Sequence, residues 1–203
     1  MTSPPVTTVL LIRHTEPAGW AKLVCHGALD VPLSDDGLIH ARRIGDHLRD
    51  VRLDAVYSSP LERALSTAAP VAAPHSVSPK LREALAEIDF GAFEGRTFDE
   101  IAASHPDVYA RWMREPATVR FPGGESFRDL RARVIDEVTR IRREHDGGSV
   151  AVVTHAGVIR AVLAEILRVD GGMIFRIDQS WGGMSSIEWV GDEPVVRSIN
   201  VAV

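Results

Sequence analysis

The chain has 203 residues, 45% of them apolar and 25% charged, with a formal charge of −5, the size and composition of a globular domain with a proper core. The acidic balance argues against a nucleic-acid partner, which would favour a basic face, but not against a small anionic substrate held by local arginines. One cysteine, Cys25, excludes an internal disulfide, no run reaches the length of a membrane span, and residues 1–5 lack the basic start of a signal peptide.

In chain order, strand and helix patterns alternate, which predicts an α/β fold with a mostly parallel sheet. Residues 7–12 are an apolar, β-rich run that reads as a buried strand and ends in Arg13-His14-Thr15-Glu16. After Ser34 a helix is predicted, with Leu38, Ala41, Ile44 and Leu48 on its buried face. Residues 54–57 predict a short strand, and Pro60 opens a helix expected to stop near Pro70. Residues 77–81 suit a further strand. Residues 87–125, punctuated by glycine and proline, read as a helical lid over the sheet edge, with a capping box at Thr97 and a second short helix over 107–114. Ser126 caps a long helix that turns Phe127, Leu130, Val134, Val138 and Ile141 inward. A strand over 150–153, a helix over 157–167, and strands over 173–177, 184–190 and 195–199 complete a chain read as one domain, residues 1–203. His145, near a helix end, is expected to complement the helix dipole.

Open α/β sheets bind ligands at the carboxyl ends of their strands. Two strands here end in a histidine: His14, beside Arg13, and His155 in Thr154-His155-Ala156-Gly157. Arg13 offers planar, bidentate donors to a phosphate or carboxylate, and a neutral His14 is a potential nucleophile. Arg63 falls in the first helical turn after a strand, where anions are favoured. Glu87, Asp89 and Glu94 lie in a glycine-punctuated loop that offers a general acid. Taken singly, each segment equally suits an ordinary packed or solvated side chain.

Together, five segments resemble the histidine phosphatase superfamily, the phosphoglycerate-mutase-like proteins. They are Arg13-His14-Thr15-Glu16, Ser58-Ser59-Pro60-Leu61-Glu62-Arg63-Ala64, the stretch from Glu87 to Gly95, Gly123-Gly124-Glu125-Ser126 and Thr154-His155-Ala156-Gly157. The resemblance spans residues 8–168. It implies a three-layer α/β/α fold and a phosphohistidine on His14. It also implies an oxyanion clamp from Arg13, Arg63 and His155, and a proton donor at Glu87. Such chemistry needs no metal and no cofactor. Thr15 stands where the family usually has glycine, and Trp20 near a common asparagine. Cys25-His26-Gly27 followed by Asp30-Val31-Pro32-Leu33 is similar to the α-ribazole phosphatase branch, with His26 in place of a tyrosine. Trp20, His26, Gly27 and Ala156 are the candidate substrate contacts.

The resulting expectation is a cytoplasmic, metal-independent phosphomonoesterase. Its partner is a small phosphomonoester, α-ribazole phosphate or another, with no nucleic acid or membrane, and a homodimer is left open. The alternatives are a phosphoglycerate mutase, disfavoured by the phosphatase-like segment Phe90-Gly91-Ala92-Phe93-Glu94-Gly95, and a non-catalytic phospholigand-binding protein. The four tryptophans are expected to pack in the core.

Overall fold

The computed structural model describes residues 5–19, 24–169 and 175–203. Among them six strands form one sheet in the order β3-β2-β4-β1-β5-β6. These are β1 (Val6–Arg13), β2 (Ala55–Ser58), β3 (Lys80–Leu81), β4 (Ser149–Thr154), β5 (Met184–Val190) and β6 (Glu193–Val201). The first four run parallel, and β5 and β6 add antiparallel strands beyond β1. The helices are α1 (Asp35–Leu48), α2 (Glu62–Ala72), α3 (Phe98–Ser104), α4 (Pro106–Arg114), α5 (Phe127–Glu144) and α6 (Ala156–Leu167).

The three layers follow from the two-residue period of the strands. Val9 and Leu11, Ala55 and Tyr57, and Val150 and Val152 face α5 and α6, where they meet Leu130, Val134, Ile141, Ile159 and Val162. Ile12, Val56, Ala151 and Val153 face α1 and α2, against Ile44, Leu48, Ala64, Ala68 and Val71. The lid (α3, α4 and the loops around them) joins the first of these cores through Phe93, Ile101, Trp112 and Phe121.

Four local expectations change. α2 continues through Pro70 to Ala72. An interior proline costs about 3 kcal/mol, from the lost hydrogen bond and the ring's clash with the carbonyl four residues back, and burial of Val71 and Ala72 in the turn beyond it, roughly 1.5–3 kcal/mol for the valine, offsets that cost. Leu38 is exposed, and Gly45 is buried in its stead. There α1 approaches α2 so closely that a Cβ would lie 2.3 Å from the Pro70 carbonyl oxygen. The strand foreseen over 77–81 shrinks to two residues, because β3 finds only Tyr57 and Ser58 to pair with. Of the strand foreseen over 173–177, Met173 and Ile174 lie outside the described residues, and residues 175–177 form no strand.

Candidate active site

Register sets the centre of the site. β1 and β4 pair in parallel with Arg13 opposite Thr154, so the next residues, His14 and His155, leave the same sheet edge as neighbours. The His14 N–H donates to the Thr154 carbonyl at 2.8 Å, and the two imidazole centroids are 5.0 Å apart. β2 pairs with β4 with Ser58 opposite Val153. That places Ser59 beside His155, its Oγ 2.7 Å from Nε2.

His14 is 4% exposed. Its Nδ1 lies 2.7 Å from the Thr15 carbonyl, which can only accept, so Nδ1 carries the proton. Arg63 Nε, which can only donate, lies 3.3 Å from Nε2. Both contacts select the same tautomer and leave the lone pair on Nε2. Burial first, then the charges of Arg63 and Arg13, hold the ring well below its ordinary pKa of 6.5. His14 is therefore neutral at neutral pH and presents an unprotonated Nε2. Thr15, in the place of the family's glycine, secures this turn. Its hydroxyl donates to the Gly37 carbonyl at 2.8 Å, and its N–H donates to the Thr67 hydroxyl at 3.1 Å.

The arginines are held by carbonyl oxygens. Arg63, 1% exposed at the start of α2, donates to Leu29 at 2.6 Å and Gly27 at 2.5 Å. Arg13 donates to the Gln179 carbonyl at 2.5 Å, and its guanidinium lies 3.3 Å above the Trp181 ring. Burial draws the pKa of Arg13 down to about 9, with Glu87 opposing, so it stays charged at neutral pH. Arg13 Nε and His155 Nδ1 are buried without a hydrogen-bond partner.

Glu87 faces the same cleft. Its Oε2 accepts from the Gly157 N–H at 3.0 Å and its Oε1 from the Ile88 N–H at 2.9 Å. A Cβ on Gly157 would lie 2.3 Å from Oε1, so that glycine makes room for the carboxylate. Arg133 anchors the loop, donating to the carbonyls of Ala84, Ala86 and Glu87 and to the Glu125 carboxylate. Burial raises the pKa of Glu94. Yet its oxygens already accept from the N–H groups of Ala28, Leu29 and Phe90, which ties the lid to the loop that holds Arg63.

Arg13, His14, Arg63 and Glu87 line a cleft of about 280 Å³, joined by His26, Gly27, Arg160 and the aromatic rings of Phe90, Phe98, Trp112, Phe175 and Trp181. Four of the five candidate catalytic residues thus share its wall, and the fifth, His155, packs against His14. Of the candidate substrate contacts, His26 and Gly27 lie on the wall. Ala156 is buried at the start of α6 and is not part of that wall, and Trp20 lies outside the described residues. Sequence reasoning missed Trp181, expected in the core, because only the turn before β5 brings it back to β1. It also missed Arg160, whose signal was a lone cation within the otherwise apolar first half of α6. An unprotonated imidazole nitrogen, unpartnered donors and a carboxylate in one cleft suit phosphoryl chemistry: attack, anion stabilisation and proton transfer.

Comparison with known proteins gives the family. The family model of the histidine phosphatase superfamily (branch 1) matches residues 9–202. Phosphoserine phosphatase 1 of Hydrogenobacter thermophilus is 33% identical over 194 residues, covering 95% of this chain and 92% of that protein. Among solved structures, YhfR of Bacillus stearothermophilus superposes with a TM-score of 0.91 at 30% identity, over 97% of this chain and 98% of that one. The α-ribazole phosphatase of Shigella flexneri superposes with a TM-score of 0.87 at 25% identity, over 96% of each chain. The alternation of the sheet, the paired histidines at its edge and the match along nearly the whole sequence make this chain a phosphatase of the histidine phosphatase superfamily.

Proposed function

We propose that this phosphatase hydrolyses small phosphate monoesters through a covalent phosphohistidine on Nε2 of His14. The observation that carries the reading is the His14 tautomer: Nδ1–H is tied to Thr15 and the Nε2 lone pair faces Arg63 in the cleft. In the first step Nε2 attacks phosphorus, the N–P bond forms, the ester P–O bond breaks, and Glu87 passes the proton it takes from the bound phosphate monoanion to the leaving oxygen. In the second, Glu87 takes a proton from water as that water attacks phosphorus. The N–P bond breaks, releasing phosphate and restoring His14. Arg13, Arg63 and His155 hold the equatorial oxygens, where the transition state spreads its charge. The chain works as one domain, with residues 87–125 covering the cleft.

A carboxylate-bearing leaving group, as in phosphoserine, fits best. Arg160 adds a cation to the cleft wall, and a relative at 33% identity is a phosphoserine phosphatase. The aromatic wall favours a second reading, a bulkier planar leaving group as in α-ribazole phosphate. The test is hydrolysis of p-nitrophenyl phosphate in EDTA by wild type and His14→Ala, followed by phosphoserine, α-ribazole phosphate and 3-phosphoglycerate. Turnover lost in the variant, with an acid-labile phosphoenzyme in wild type, supports the reading. Turnover that survives the substitution overturns it. Conversion of 3-phosphoglycerate to 2-phosphoglycerate indicates a mutase, and phosphate binding without any turnover a binding protein.

A further inference from the structure

We propose that Ser59 is a positioning residue: its hydroxyl donates to His155 Nε2 and so keeps the proton on Nδ1, leaving a neutral ring able to donate to the phosphoryl group on His14. The inference rests on the phosphohistidine reading above for its purpose, but not for its geometry.

Ser59 and His155 are both fully buried, with Oγ and Nε2 2.7 Å apart. The hydroxyl already accepts from the Leu61 N–H at 3.3 Å, and Nε2 is the one acceptor it meets among the described residues. A hydroxyl that accepts on one side and has a single acceptor on the other gives its proton to that acceptor. Nε2 then bears no proton, and Nδ1 carries it. That Nδ1 is buried and unpartnered, on a ring whose centroid is 5.0 Å from that of His14. A bare donor in the interior is a standing cost unless a ligand meets it.

The tautomer matters because the ring is neutral. Burial first, then His14, Arg63 and Arg13, lower its pKa well below 6.5. An imidazolium would donate from both nitrogens whatever its neighbours. A neutral imidazole offers one donor and one lone pair, and a lone pair aimed at a phosphoryl oxygen repels it. His14 and His155 thus become mirror cases. Thr15 holds the first with its lone pair free at Nε2, and Ser59 holds the second with its proton free at Nδ1.

The experiment is nitrogen-15 NMR of histidine-labelled wild type and Ser59→Ala, with p-nitrophenyl phosphate kinetics on both. The expected result is protonated Nδ1 on His155 in wild type and a shift of that proton toward Nε2 in the variant. With it, kcat should fall about tenfold or more at little-changed KM. Protonated Nε2 in wild type overturns the proposal, and this measurement does not depend on the variant folding. A tautomer shift without loss of kcat, or a loss without a shift, overturns it too. Failure of the phosphohistidine reading shows separately, as a His14→Ala variant that still turns over.

Discussion

On α5, Glu137 is 3% exposed and meets Arg82 at 2.9 Å and Arg140 at 3.1 Å, the Arg82 contact too bent to count as a hydrogen bond. Beside it the Tyr57 hydroxyl donates to Glu144 at 2.8 Å. At the sheet edge, by contrast, half-buried Arg13 and buried Arg63 are held on carbonyl oxygens, and among the described residues neither forms a salt bridge. A carboxylate partner cancels a guanidinium's field, whereas a carbonyl partner aims it and leaves most of the charge for a ligand. In the first cluster every carboxylate is paired with a cation or a hydroxyl. The second is a set of guanidinium donors oriented by carbonyl oxygens. His145 belongs to the first: it contacts the Tyr57 hydroxyl at 3.0 Å. Burial, then Lys80, pulls its pKa down, so it is not the helix-end cation its position suggested.

The comparison breaks most visibly at Arg63. Arg63→Met should lower kcat/KM by about 10²–10³-fold, the usual loss for one preorganised oxyanion donor. Arg63→Lys should not restore it, since one ammonium cannot span Gly27, Leu29 and His14 at once. Full activity in the lysine variant would mean that charge alone suffices. Glu87→Gln is expected to slow alkyl phosphates by about 10²-fold and p-nitrophenyl phosphate much less, because a good leaving group needs little protonation. Gly157→Ala should reproduce that selectivity more weakly by displacing the carboxylate. Equal losses on both esters would assign Glu87 another role.

In the paired cluster the outcome should invert. Glu137→Gln is expected to leave kcat/KM unchanged and to lower stability by about 1–3 kcal/mol, measured by urea unfolding. The lower end is favoured because Arg82 and Arg140 are themselves 31% and 63% exposed. A more gradual effect is on acid stability. His14 and His155 have folded pKa values below 6.5, so as pH falls through 6.5 the unfolded chain takes up protons that the native site refuses. Stability should then decline by at most about 1.4 kcal/mol per pH unit for each ring. Replacing His155 by an uncharged residue should flatten that slope, and an unchanged slope would place the acid sensitivity elsewhere.

Much of this was legible in the chain itself. The β-rich runs ending in His14 and His155, the capping residues Ser34, Thr97 and Ser126 and the inward face of α5 follow from local periodicity and hydrogen-bonding chemistry, which a short window of residues contains. The family motifs likewise lie in contiguous segments. Pro70 and Leu38 misled because a local rule was overruled by packing between α1 and α2, an interaction no window includes.

From the chain alone came an inventory of candidates: an imidazole at His14, three groups suited to an oxyanion (Arg13, Arg63 and His155), each at the end or start of a regular element, and a loop carboxylate at Glu87. Tertiary structure decided their protonation, their partners and their neighbours. Only the parallel register of β1, β4 and β2 sets His14, His155 and Ser59 side by side. Only the turn before β5 lays Trp181 on Arg13. Which imidazole nitrogen holds a proton depends on a carbonyl one residue away for His14 and on a hydroxyl 96 positions away for His155. Hydrogen bonds act over a few ångströms of space, and sequence distance does not enter them.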